Sequence, residues 1–196
     1  MSDVDELTQL VLRERQGRDR GWWAQMRACF ERDATIRLSW FEGTAEEFIA
    51  RSEAMAARGD HASHRLSPPV VHVMGGRAVV ELPMTVELRT VIDEVEADLA
   101  STGRLLYRAA SRDGRWLIAR MEAIYQRDTL LPSIPGTRLD VHPDDLTGFR
   151  SAYRLLSYDL GRRGYAISQD LPGDDRPEEV EELYRETFRW ARAERC

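Results

Sequence analysis

Lysine is absent from this chain of 196 residues: all 28 basic residues are arginine. That rules out a lysine Schiff base as a catalytic device. Basic charge is not in excess either, because the formal net charge is -6. No cationic face is expected to displace counterions from a nucleic-acid backbone, so nucleic acid is excluded as a partner. Cysteine is scarce. Cys29 and Cys196 supply neither a disulfide framework nor metal-ligand spacing, which suits a reducing cytoplasm. Long apolar runs are missing, and the start Met1-Ser2-Asp3-Val4-Asp5-Glu6 is acidic where a signal peptide would be basic and then apolar. The expectation is a soluble cytoplasmic protein with no membrane segment.

Periodicity reads as helices first and strands afterwards. Val4, Leu7, Leu10 and Val11 form the stripe of an amphipathic helix over 4–16. Gly17 is expected to break it, and Asp19 to cap a second helix running through Trp22, Trp23, Met26, Cys29 and Phe30. Ile36, Leu38 and Trp40 alternate as a strand. Thr44 followed by Glu47 has capping-box spacing for a third helix that stops at Gly59. From His61 the chain turns extended, and Pro68-Pro69 marks a sheet edge or a bulge. Gly75-Gly76, Asp93-Glu94 and Asp113-Gly114 then separate long alternating strands.

This order specifies an α+β fold, an antiparallel meander with helices on one side. The expected domains are a sheet-and-helix unit over 1–127 and a helical C-terminal extension over 128–196, since Pro132, Pro135-Gly136 and Pro143 mark irregular chain before helical patterns resume. The extension is expected to dock on the first unit or on a second subunit.

Histidines cluster at His61, His64 and His72. A metal reading is set aside: the proline pair breaks the strand phase between His64 and His72, and no cysteine accompanies them. For Asp19, a helix cap and a catalytic carboxylate are both open. His64 is equally a core or surface histidine or a base. Trp22, Trp23, Trp40, Phe41 and Met84 read as ordinary core, with aromatic rings that a flat apolar ligand would also meet.

Asp19 ahead of the Trp22-Trp23 helix, His64 after the third helix, and Arg112-Asp113-Gly114-Arg115-Trp116 opening the last strand resemble the nuclear transport factor 2-like superfamily, in its SnoaL-like branch. The resemblance covers roughly Val4 to Arg127. It implies a cone-shaped curved antiparallel sheet, covered by three N-terminal helices, whose open end holds a small hydrophobic ligand. It also implies a homodimer that needs no cofactor.

Scytalone dehydratase and hexachlorocyclohexane dehydrochlorinase in that superfamily carry an aspartate and a histidine at positions matching Asp19 and His64. The implied activity is a cofactor-independent lyase or isomerase, of dehydratase or cyclase type, acting on a polyketide-like metabolite, with His64 as base and Asp19 orienting it. The alternative is a non-catalytic ligand-binding or protein-interaction module of the same fold. Trp22, Trp40, Tyr107 and Tyr125 are the expected substrate-binding residues. The chain departs from scytalone dehydratase in having Trp40 in place of a tyrosine, in Gly103 and Leu105 where small polar residues stand, and in lacking a histidine over 78–90. Scytalone itself is therefore not the expected substrate.

Overall fold

The computed structural model describes residues 2–193; Cys196 lies outside them. Helix α1 (Asp3–Arg20) opens with a capping box in which Ser2 and Asp5 satisfy one another's backbone donors. It buries Leu7, Leu10 and Val11 but leaves Val4 about half exposed.

The expected break at Gly17 is not there. The helix runs on and stops at Gly21, whose φ of 67° is the left-handed conformation of a helix C-cap. Gly17 lacks a side chain for a different reason: a Cβ there would stand 3.0 Å from the Met26 backbone nitrogen. The next helix, α2 (Trp23–Arg27), packs directly on that bare spot. Two corrections follow. Asp19 lies in the last turn of α1 and caps nothing in α2, and Cys29 and Phe30 fall outside the shortened helix.

Strands β1 (Phe30–Leu38) and β2 (Phe41–Thr44) form a hairpin with Trp40 in the turn. Thr44 and Glu47 then cap α3 (Ala45–Ala57) as their spacing requires. Two short strands follow, β3 (Ala62–Leu66) and β4 (Val70–Met74), both paired with the long β5 (Arg77–Ile92). Pro68-Pro69 sits between them, where a missing N–H costs no ladder bond, and both short strands lie at the edge of the sheet. β5 pairs with β6 (Val95–Arg112), and β6 with β7 (Arg115–Pro132).

The expected cone-shaped, curved antiparallel sheet is not what forms. Among the described residues, seven strands make an open sheet of order β2-β1-β7-β6-β5-β3, with β4 beside β5, and the two end strands do not pair with each other. The sheet is mixed, because β1 runs parallel to β7. Alternation of apolar residues assigns strands and faces but carries no information about whether two distant edges meet, and here β2 and β3 stand at opposite ends.

Alternation does place the core. Val80, Leu82, Leu105, Tyr107, Ala123 and Tyr125 face one side, under α1, α3 and α4 (Arg154–Arg162). Val79, Leu106 and Ile124 face the other, where α5 (Pro177–Arg192) covers them with Leu183 and Ala191. Helices therefore lie on both faces. A bulge at Thr102/Gly103 shifts the β6–β7 register, and a Cβ on Gly103 would come within 2.4 Å of the Ile124 carbonyl oxygen, so only glycine fits. Beside that bulge the tail returns: Tyr125 donates its N–H to Pro172 and accepts from Asp174.

Candidate active site

The last two turns of α1 carry four charged residues over the buried face of the sheet. Leu7, Val11, Glu14 and Arg18 follow one another at spacings of four, three and four, so the apolar stripe continues into charge without leaving the core. Glu14 and Arg15 are almost fully buried and bind side by side, with Arg15 Nε 2.5 Å from Glu14 Oε2 and a second contact from Nη2 to Oε1. The Tyr107 hydroxyl donates to Glu14 at 3.2 Å.

Asp19, one turn further, meets β3. Its Oδ2 accepts the His64 backbone N–H at 2.8 Å, and its Oδ1 lies 2.6 Å from His64 Nδ1. The partners are 45 residues apart in sequence, and both are largely buried. A carboxylate at a helix C-terminus is disfavoured by the helix dipole. Burial also pushes the Asp19 carboxyl up, but the His64 side-chain and backbone hydrogen bonds, with the Arg15 charge, outweigh this and hold it below its ordinary value. Burial likewise dominates at His64. It lowers the imidazole below its ordinary 6.5, helped by the charges of Arg15 and Arg18 and opposed by Asp19. The ring is neutral at pH 7. With Nδ1–H donated to the carboxylate, Nε2 carries the lone pair, and Arg15 Nη1 stands 3.4 Å from it.

His64, Arg15 and Arg18 line a cavity of about 70 Å³ whose remaining wall is apolar, built from Leu38, Trp40, Phe48, Met55, Met84, Val86, Leu88, Leu105 and Ala123, with Leu156 and Leu160 of α4 closing it. That space holds the centres of a few water molecules. Asp128 anchors the roof by accepting the Leu156 N–H at 2.8 Å near the start of α4.

The structure brings four of the six expected site residues to this place. Asp19 and His64 pair, Trp40 lines the wall against Phe48, and Tyr125 lines the floor. The Tyr125 phenol is already engaged, donating to Ser39 Oγ at 2.9 Å and accepting from the Ser39 N–H at 3.0 Å. Tyr107 lies fully buried behind Glu14, outside the cavity wall, and burial together with Glu14 pushes its phenol well above the usual range. Trp22 is half exposed at the start of α2 and does not reach the cavity. Of the neighbouring histidines, His61 is exposed, and His72 packs edge-on against Phe188 at 5.2 Å. Among the described residues, no group of three or more histidine, cysteine or acidic side chains converges on one point, and no helix is long and apolar enough to cross a membrane.

Glu14, Arg15 and Arg18 were not expected here, because charges on an amphipathic helix ordinarily face water. The signal was their phase: they continue the Leu7–Val11 stripe and do not lie opposite it.

Comparison with known proteins agrees with the fold. A protein of Emericella nidulans, itself uncharacterized, is 30% identical over 169 residues, spanning 81% of this chain and 71% of its own length. A protein of unknown function from Mycobacterium tuberculosis superposes with a TM-score of 0.55 at 18% identity, over 85% of this chain and 92% of that one. A type 2 hexachlorocyclohexane dehydrochlorinase superposes with a TM-score of 0.58 at 11% identity, over 71% of this chain and 93% of that one. The SnoaL-like domain model matches residues 1–122, and the chain belongs to that family, within the nuclear transport factor 2-like superfamily.

Proposed function

We propose that the protein is a cofactor-independent lyase or isomerase that abstracts a proton from a small hydrophobic, polyketide-like carbonyl metabolite. The observation that carries this reading is the 2.6 Å contact between Asp19 Oδ1 and His64 Nδ1, which leaves the lone pair on Nε2 at an apolar cavity, met only by the long 3.4 Å contact from Arg15 Nη1 that a substrate C–H would displace. Asp19 fixes the tautomer and stabilises the imidazolium that forms. A C–H bond next to a carbonyl gives its proton to Nε2. The electron pair left on carbon then either expels a neighbouring group or moves the double bond. The Arg15 guanidinium, beside Nε2, is placed to meet the developing negative charge on the carbonyl oxygen. Likeness in fold to a dehydrochlorinase supports elimination as one form of this chemistry.

One observation favours a second reading, a non-catalytic binding module: the cavity is smaller than most ligand sites. Proton exchange separates the two. Candidate metabolites incubated in D2O with the protein should gain deuterium at the acidic carbon, as seen by NMR. Because His64 titrates below 6.5, the exchange rate should be flat above that pH and fall as pH drops through the lowered value, where a proton occupies Nε2. Exchange whose rate does not fall at the pH where the His64 ring is seen by NMR to take up its proton would remove His64 as the base. Saturable binding with no exchange at any pH would favour the second reading.

A further inference from the structure

Arg18 stands apart from every other charge in this site. It is 7% exposed, it lines the apolar cavity, and it makes no ion pair among the described residues; its polar contact is the thioether sulfur of Met55 at 3.8 Å. Nearby carboxylates are committed elsewhere. Glu14 is held by both arms of Arg15, and Asp19 by the ring and backbone of His64. Burial and the like charge of Arg15 lower Arg18 to about 10, which still leaves it charged at neutral pH. A buried guanidinium with no carboxylate partner is costly, and an anion from outside the chain would offset that cost.

We propose that Arg18 is the anchor for a carboxylate on the ligand, so that the site takes small apolar monocarboxylic acids. This rests on reading the cavity as a ligand site. A planar guanidinium binds a carboxylate through two parallel hydrogen bonds, and the apolar wall receives the rest of the molecule. Arg15 lies three residues earlier on the same helix, about 4.5 Å along its axis. An acid held by Arg18 therefore extends toward Arg15 and His64 Nε2, with its reacting carbon a few bonds from the carboxylate.

Two pairs of probes test the assignment: butyrate against butyramide, and benzoate against benzamide, each pair nearly identical in shape and differing in charge. Binding is followed through tryptophan fluorescence and by ligand-observed NMR at millimolar concentrations. The acid should bind at least tenfold more tightly than its amide in one or both pairs. Arg18→Met should erase that preference and raise the melting temperature of the unliganded protein by roughly 2–4 °C, because it removes an unpaired buried charge. Arg18→Lys, which keeps a charge without the planar fork, should retain part of the preference. His64→Ala should retain it fully. Equal binding of acid and amide, saturable binding by none of the four, an acid preference that survives in Arg18→Met, or a lower melting temperature in that variant would each overturn the anchor. The base is judged separately: loss of proton exchange in His64→Ala without any acid preference would keep the base and reject the anchor, and the opposite pair of results would do the reverse.

Discussion

Replacing His64 with alanine should lower turnover by about 10²–10⁴-fold, the contribution of a well-placed general base. Asp19 Oδ1 loses its Nδ1 partner, but Oδ2 keeps the backbone N–H of residue 64, so the β3–α1 contact survives in part. The fold should persist, because β3 keeps its register against β5 from Ala62 to Leu66, and that pairing does not depend on the ring. His64→Gln should be equally inactive and lose less stability, since its amide N–H can still reach Asp19. Single-turnover rates beside thermal melts measure both effects. Turnover within tenfold of the parent protein in a folded His64→Ala would mean that the imidazole does not take the proton.

The largest expected loss of stability comes from Glu14→Ala, about 3–5 kcal/mol, because it leaves Arg15 charged and buried without its partner. Tyr107 would lose its acceptor at the same time. For a chain of this size the melting temperature should fall by roughly 6–20 °C. Without Glu14 the burial of Arg15 is no longer offset by that carboxylate, yet a guanidinium is too basic to escape the cost by shedding a proton. Glu14→Gln keeps an acceptor for Tyr107 and should cost less. The double variant Glu14→Leu/Arg15→Met should recover much of the loss, since a packed apolar pair of similar volume often matches a buried ion pair. A Glu14→Ala melt within 2 °C of the parent would show that Arg15 does not depend on Glu14 for its burial.

Local chemistry in the sequence reported local structure well. Thr44 and Glu47 close a capping box, and Asp93, Glu94, Asp113 and Gly114 take the positive φ values that tight hairpin turns need. Pro68-Pro69 marks an edge because proline brings no ladder donor wherever it stands. What failed depended on distant partners. Gly17 looks like a helix break in one dimension and is a packing notch in three, since its reason is Met26, nine positions later in the chain. The open, mixed sheet replaces the expected cone-shaped antiparallel one: the β1–β7 parallel pairing joins segments that no alternation pattern links, and the end strands β2 and β3 do not pair.

The site was legible to the same degree. His64 and Asp19 were singled out as a pair by the family resemblance, and the structure brings them into contact although the capping role expected of Asp19 was wrong. Glu14, Arg15 and Arg18 went unseen because the identity of a charged residue argues for solvent, and only its phase on the helix argues for the core. Trp22 was named for its aromatic ring, yet it stands just ahead of α2 with half of its surface exposed.

The most direct measurement is an NMR titration of the His64 ring with ¹⁵N-labelled protein. The expected spectrum at pH 7 shows a neutral imidazole protonated on Nδ1 and bare on Nε2, converting to the charged form only below 6.5, with Asp19→Asn disturbing the tautomer. A ring that is charged at pH 7, or neutral with its proton on Nε2, would contradict the assignment of His64 as the base.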